Sequence, residues 1–522
     1  MLYALQAPFR LIFEWFERLF DKPFGPPWNP LRQLGTLAFF FFWVAAVTGI
    51  YVFIFFDTSL SGAYESVEHM THEQWYYSGV MRSLHRYSSD AMVVTMMLHL
   101  VREFSRDRYR GVRWFSWFTG VPLIWLLMVS GISGYWLVWD QLAQYVAVGS
   151  MEWLDWLTIF GEPVANNFLT RGSLDDRFFS LLVFIHIFGP LFLLFGMWIH
   201  ILRVNRAITN PPKALALGSM VVLVVLSFLM PAVSNPKADL AIAPSTLNFD
   251  WFYLFMYPVF DEWGGGAMWA VSVGLSLFVC VMPWLPRLKE VSAPEVMLDK
   301  CNGCTRCAED CPYGAISMVP RTDGRPFEQQ AIVDHDICTR CGICVGACPM
   351  STPFRHEGKV KTGIDLPQMP LDNVLEKANA VMLKAKAEST AEQPSILLIG
   401  CDHGGEIAQA ETSGTKSFSL PCIGMLPPSF VDYALSRDGV DGVMLTGCGD
   451  CDCYHRIGIR WTSDRMAGLR DPYLRKRVPR DRLHSFWGGG GELDVLETEI
   501  DHFRERLSTL NSDVEGHEGE PS

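Results

Sequence analysis

Cysteine is nearly absent from the first 300 residues. Of 14 in the chain, only Cys280 precedes position 301. That half can hold no disulfide framework, and no C-x-x-C-H occurs anywhere to attach a c-type haem. Basic residues are in deficit, 43 Lys and Arg against 56 Asp and Glu. The net charge of −13 argues against nucleic acid as a partner. No G-x-G-x-x-G follows a predicted strand, so any nicotinamide or flavin chemistry belongs to another subunit; Gly488 to Gly491 is a plain glycine run. A secretory cleavage site is also missing. Phe9 to Phe20 reads instead as an amphipathic helix on the membrane surface, with Glu14, Glu17 and Arg18 on its polar side.

What fills the first half is apolar sequence. Six stretches are long enough to span a bilayer, at roughly 34–56, 80–101, 115–138, 178–202, 214–231 and 266–286, the fifth being the shortest. Arg102, Arg106, Arg108, Arg110 and Arg113 crowd the turn between spans two and three. Arg203, Arg206 and Lys213 follow span four, and Arg287 and Lys289 follow span six. With six spans these loops share one side, which the positive-inside rule makes cytoplasmic, with both termini. The opposite loops carry Asp57, Glu65, Glu68, Glu152, Asp155 and Glu162.

Four histidines lie inside these runs in two equally spaced pairs. His85 and His99 are 14 residues apart, as are His186 and His200. Fourteen residues is just under four turns, a rise of roughly 21 Å. Both members of a pair therefore face nearly the same way at two depths. Spans two and four run in the same direction, so His85 meets His186 near the outer face and His99 meets His200 near the cytoplasmic face. Two histidines leave a haem iron no open position, which suits electron transfer. Gly35 and Gly49 on span one, and Gly120 and Gly134 on span three, repeat the spacing of 14 and read as places where a porphyrin presses on a helix. Arg82 and Arg102 flank the histidines of span two and are candidates for haem propionates.

Arg82-Ser83-Leu84-His85, the segment Gly134-Tyr135-Trp136-Leu137-Val138-Trp139-Asp140-Gln141, and His186 with Pro190 four residues on carry a resemblance. Residues ~30–205 resemble cytochrome b of the quinol-oxidising bc and bf complexes. The resemblance implies two b haems, the outer of lower potential, quinone pockets near each face, and a homodimer. The outer pocket of that family uses a Pro-Glu-Trp-Tyr motif. The nearest equivalent here is Phe249-Asp250-Trp251-Phe252, with proline and tyrosine replaced and Asp standing for Glu. Asp250 is thus either a quinol proton acceptor or a surface-loop acid.

Beyond the spans comes Cys301-x2-Cys304-x2-Cys307-x3-Cys311-Pro312, and then Cys338-x2-Cys341-x2-Cys344-x3-Cys348-Pro349. This is the double run of bacterial-type ferredoxins, in which the fourth cysteine of each run serves the other cluster. One [4Fe–4S] cluster takes Cys301, Cys304, Cys307 and Cys348; the second takes Cys311, Cys338, Cys341 and Cys344. Zinc does not explain the proline-linked fourth cysteines.

The remainder alternates strands and helices. A strand over 395–400 ends at Cys401, another runs toward Cys422, and a third over 442–447 ends at Cys448, with a helix around 428–437 between. Ile399-Gly400-Cys401, Leu420-Pro421-Cys422-Ile423-Gly424-Met425 and Gly447-Cys448-x4-Cys453-Tyr454 resemble the delta subunit of methyl-viologen-reducing hydrogenases. That resemblance implies a [2Fe–2S] cluster on Cys401, Cys422, Cys448 and Cys453, with Cys451 an alternative to Cys453, and a flavoprotein partner of the heterodisulfide-reductase kind. His403 and His455 read as surface residues, with participation at the cluster the alternative.

The expected fold is multidomain: an α-helical transmembrane bundle of six spans (1–290), an α+β ferredoxin-like domain (291–356), a linker with a helix (357–392), a small α/β domain (393–490) and an acidic, disordered tail (491–522). The expected function is a quinone-linked oxidoreductase subunit of a prokaryotic inner membrane. It connects a quinone pool, through two haem b groups, to two [4Fe–4S] clusters, a [2Fe–2S] cluster and a cytoplasmic flavoprotein that uses NAD(P)H or resembles heterodisulfide reductase. Outer-face quinol oxidation would also need a Rieske protein and cytochrome c. The alternative is a membrane anchor and redox-sensing module that recruits a cytoplasmic complex without quinone turnover.

Overall fold

The computed structural model describes residues 2–159, 163–164, 176–202, 207–244, 246–285, 292–354, 359–390, 392–405, 407–436, 439–449, 452–488 and 492–518. Glu162, Arg203, Arg206, Arg287, Lys289, Cys451 and Gly489 to Gly491 lie outside them. The chain divides into two compact units, the second beginning at Leu288.

The first unit is helical. Among the described residues, four helices are long and apolar enough to cross a membrane: Leu34–Phe55, Trp114–Val138, Phe179–Ile201 and Trp251–Trp284. Two of the six expected spans fall short for physical reasons. The helix Val80–Ser105 has ample length but carries Arg82, Arg86, Asp90, Arg102 and Glu103, and Lys213–Leu229 has only 17 residues. Leu34–Phe55 packs along Val80–Ser105, and Trp114–Val138 packs along Asp176–Ile201. Between these pairs the core is filled by side chains such as Phe41, Leu84, Leu127 and Leu182.

The N-terminal helix spans Leu2–Phe24. Its exposed side carries Leu11, Ile12, Trp15 and Phe16, whereas Gln6 and Glu17 are buried. This corrects the expected polar face: Glu17 turns inward because three arginines meet it there. Its carboxylate accepts from Arg102 Nε at 2.8 Å and Arg106 Nη2 at 2.5 Å, with Arg32 at 3.9 Å. The loop expected after Val138 is largely a further helix, Gln141–Asp155, whose N-cap Asp140 accepts from Ala143 N.

The second unit opens with three small antiparallel pairs. They are β1 (Glu295–Val296) with β6 (Ile364–Asp365), β2 (Ile316–Pro320) with β3 (Gln329–Val333), and β4 (Thr352–Phe354) with β5 (Lys359–Lys361). Its C-terminal part is a parallel four-stranded sheet in the order β10–β9–β7–β8, from β7 (Ile396–Cys401), β8 (Thr415–Leu420), β9 (Gly442–Thr446) and β10 (Leu483–Phe486). Strand β7 is buried along its whole length, as a central parallel strand must be.

Two expectations are corrected here. The helix Leu371–Ala387 is no free linker: Leu371, Val374, Leu375, Ala378, Met382 and Ala385 form a buried stripe packed against the sheet. Nor is the acidic end disordered over its described residues, 492–518. Leu493–Glu518 is a helix whose Leu496, Ile500, Phe503 and Leu507 cover Ile396, Leu398 and Met444. A one-sided apolar stripe spaced 4, 3 and 4 is enough to dock a helix that is otherwise charged.

Candidate redox centres

Each of the four glycines abuts one of the four histidines. A Cβ built on Gly49 would lie 2.8 Å from His85 Cε1, and one on Gly134 would lie 2.9 Å from His186 Cε1. On Gly35 it would stand 3.3 Å from His99, and on Gly120, 3.3 Å from His200. The contact found is with imidazole, where the spacing points to the macrocycle. The reason is helical geometry. A Cβ tilts toward the N-terminus and covers the carbonyl one turn back. Glycine uncovers it. His85 Nδ1 bonds Ala45 O at 2.8 Å, four residues before Gly49. His186 Nδ1 bonds Ser130 O at 2.9 Å, four residues before Gly134. His200 Nδ1 sits 3.2 Å from Thr119 Oγ1.

A backbone acceptor on Nδ1 fixes the tautomer and leaves Nε2 to face a metal. The rings of His85 and His186 stand with centroids 6.1 Å apart. Two metal–imidazole bonds of about 2 Å, plus roughly 1 Å from each nitrogen to its ring centre, set such centroids about 6 Å apart. The pair thus fits an iron held between two axial imidazoles.

The cysteines form three groups. Cys301, Cys304, Cys307 and Cys348 line one cavity together with Val296 and Met318. Cys311, Cys338 and Cys341 are electrostatic neighbours of Cys344. Cys401 and Cys448 have their Sγ atoms 3.7 Å apart, and Cys453 and Cys422 adjoin them. The 3.7 Å separation matches two thiolates on one tetrahedral ion at about 2.3 Å. Among the described residues no three His, Cys, Asp or Glu side chains converge as on a single ion. Thiols set around a shared space suit a multinuclear cluster. Burial pushes the Cys307 and Cys341 thiols up to about 12. Contact with Cys401 takes Cys448 to about 12. Only thiolates ligate, so these sites hold their ligand form when bound iron supplies the compensating charge.

Family comparisons match these parts in turn. Residues 20–208 match cytochrome b/b6/petB, residues 300–352 a 4Fe–4S dicluster domain, and residues 397–511 the methyl-viologen-reducing hydrogenase delta subunit. The cytochrome b6 of Porphyra purpurea is 28% identical over 211 residues, which is 37% of this chain and 95% of that protein. Among solved structures, a chain of a hyperthermophilic respiratory Complex III aligns with 48% of this chain and 74% of its own length, at a TM-score of 0.41 and 17% identity. The chain is a cytochrome b domain fused to a 4Fe–4S dicluster domain and a hydrogenase delta-type domain. It is a multi-pass membrane electron-transfer protein, whose cytochrome b domain implies haem b and whose 4Fe–4S domain implies iron–sulfur clusters.

In the first, helical unit, beyond the residues matched to cytochrome b, Asp250 is buried and caps the short helix Trp251–Leu254 by accepting from Phe252 N at 2.7 Å. Its other oxygen accepts from Arg86 Nη2 at 3.1 Å and from the Tyr135 hydroxyl. At 5% exposure Asp250 is not a surface-loop acid. Arg82 donates to Ser234 Oγ at 2.8 Å and to Thr71, and Arg102 is engaged by Glu17.

In the delta-type domain, His403 is exposed but His455 is buried, with Nδ1 3.2 Å from the Tyr313 hydroxyl; this corrects its reading as a surface residue. Sequence reasoning missed Glu17, Arg86 and Arg465. Arg86 carried a readable signal, since Asp90 lies four residues on, its carboxylate 3.5 Å from Arg86 Nε. The partners of Glu17 and Arg465 are 85 and 155 residues away in sequence, out of reach of local patterns.

Proposed function

We propose that this chain moves single electrons between a membrane quinone/quinol pool and a cytoplasmic flavoprotein. The carrying observation is the His85–His186 pair, its rings 6.1 Å apart and each tied through Nδ1 to a carbonyl that a glycine uncovers. His85 and His186 hold an outer haem b, and His99 and His200 an inner one; bound there, haem supplies a reversible one-electron couple. Gly35, Gly49, Gly120 and Gly134 give the imidazoles room, and Arg82 and Arg102, which flank the histidines in sequence, are the candidates to answer propionate charge, Arg102 while also paired with Glu17.

Asp250 is the proton acceptor at the outer quinone site. Its bonds to Arg86 and Tyr135 hold the carboxylate in place for a quinol hydroxyl. Cys301, Cys304, Cys307 and Cys348 hold one [4Fe–4S] cluster, and Cys311, Cys338, Cys341 and Cys344 the second. Cys401, Cys422, Cys448 and Cys453 hold a [2Fe–2S] cluster that faces the flavoprotein. Six helices span the membrane, Val80–Ser105 and Lys213–Leu229 among them, with both termini and the cysteine-rich unit cytoplasmic; the assembly is a homodimer. A Rieske protein and cytochrome c join it if the outer site oxidises quinol.

The test is anaerobic titration of the detergent-purified protein. Added quinol reduces b-type absorbance, and exchange of the four histidines for leucine removes that absorbance. Haems that dithionite reduces and quinol never does would end the quinone reading.

A further inference from the structure

The cysteine-rich unit contains an ion pair that no local motif announces. Arg465 is 0% exposed, and its Nη2 lies 2.5 Å from Asp310 Oδ2. Arg470 donates to the other oxygen of Asp310 and lays its guanidinium 3.5 Å from the centre of the Trp461 ring. Trp461 Nε1 donates to Asp310 O at 3.3 Å, and Arg465 Nη1 donates to Gly424 O at 3.0 Å.

These residues stand at the junction of two cysteine groups. Asp310 immediately precedes Cys311 of the second quartet, and Gly424 follows Cys422 of the third by two residues. Cys341, Ile343, Cys422 and Trp461 share one buried cluster. The backbones approach closely as well: a Cβ on Gly346 would lie 2.2 Å from Gly424 O. A buried ion pair adds little net stability once desolvation is counted; its effect is to fix geometry.

We propose that Asp310, Arg465 and Trp461 are positioning residues that hold Cys341 of the second quartet against Cys422 of the third, making this contact the crossing point for electrons between the 4Fe–4S segment and the delta-type domain. The inference rests on the ligand sets proposed above. The first quartet adjoins the second, because the helices Arg306–Asp310 and Ile343–Ala347, which carry Cys307 and Cys344, pack on each other. The step is a one-electron exchange. The centre on one quartet is oxidised as the centre on the other is reduced, with no bond to the protein made or broken and no proton moved. The flavoprotein and the quinone pool supply and accept the electron at the two ends.

The test is electron paramagnetic resonance of the full-length reduced protein, with iron quantified in each sample. The [2Fe–2S]-type signal is expected to show magnetic broadening from a neighbouring cluster. Cys338→Ser, which removes the second cluster, abolishes the broadening, and Cys304→Ser, which removes the first, leaves it. Arg465→Met weakens it at unchanged iron content; should that variant lose iron, Trp461→Phe, which removes the indole bond to Asp310, carries the same expectation. The reverse pattern between Cys338→Ser and Cys304→Ser, or an isolated signal in the unaltered protein with all clusters present, overturns the proposal. A protein with cubane signals but no [2Fe–2S]-type signal overturns the ligand assignment instead, and this inference with it.

Discussion

The α-carbon of Gly49 faces His85 so closely that a methyl group there would lie 2.8 Å from Cε1, and Gly134 faces His186 almost as tightly, at 2.9 Å. Gly35 and Gly120 allow 3.3 Å to His99 and His200. The four glycines are therefore unequal. Gly49→Ala and Gly134→Ala should displace an imidazole and cost the b-type signal of the His85/His186 pair. Gly35→Ala and Gly120→Ala should shift the other signal but retain it, since a few tenths of an ångström of relaxation restores ordinary contact. Low-temperature optical spectra of the four variants check the order. Equal behaviour of all four would mean that the glycines serve helix packing rather than the imidazoles.

Glu17 makes a different prediction. It is 2% exposed and neutralises Arg102 and Arg106, three and seven residues beyond His99. Removing one partner of a buried pair costs about 3–5 kcal/mol, because the other charge stays behind. Glu17→Ala should lose about that much stability in detergent. Glu17→Gln should lose less and raise the midpoint potential of the haem at His99/His200, because an uncompensated positive charge favours the reduced form. The haem at His85/His186 should not move. Potentiometric titration separates the two, and a parallel rise of both potentials would refute a local effect.

The parts of this protein that were legible in its sequence are those whose chemistry repeats at a fixed interval. His85 and His99 announce themselves by a spacing of 14 that His186 and His200 copy, and the cysteine quartets by their C-x2-C runs. The inward turn of Glu17 is not legible, because amphipathicity says which side of a helix is polar and not what meets it. The stripe of Leu496, Ile500, Phe503 and Leu507 was hidden by the acidic residues around it. Asp310 and Arg465 belong to tertiary register, which no window of sequence contains.

Asp250→Asn keeps an oxygen for the Phe252 N–H and so preserves the helix cap, but it removes the proton acceptor and leaves Arg86 with a weaker partner. Loss of a positioned base typically costs 10²–10⁴-fold. Quinol-driven haem reduction should therefore slow by about a hundredfold or more. The dithionite-reduced spectrum should not change. Stopped-flow reduction of the variant at wild-type speed would return Asp250 to a purely structural role.

The C-terminal helix should be required for folding of the delta-type domain. Phe503 is 1% exposed against the Ile396–Leu398–Met444 face of the sheet. Its truncation to alanine leaves a cavity worth about 3–5 kcal/mol. Chain termination at residue 491 bares that whole face. Limited proteolysis should find Phe503→Ala cut within 393–490 faster than the parent, and the truncated chain insoluble or cluster-free. A truncated protein with full iron content would restore the dispensable tail.

The cysteine sites give a prediction with a definite sign. In the metal-free chain, the thiols of Cys307, Cys341 and Cys448 have pKa values of about 12, against 9.0 for an ordinary cysteine. An unfolded chain loses those protons first as pH rises, so above pH 9 it binds fewer protons than the folded chain and folded stability falls. The stability from the neutral thiols is fully present below pH 9 and is lost progressively toward pH 12. With clusters bound the ligands are already thiolates, so that dependence should vanish, to be replaced by acid lability as protons compete for sulfur. Denaturant titrations of iron-depleted and iron-loaded protein over pH 8 to 11 test this. A metal-free chain whose stability is flat across that range would show the thiols to be less enclosed than the packing around Cys341 and Cys448 requires.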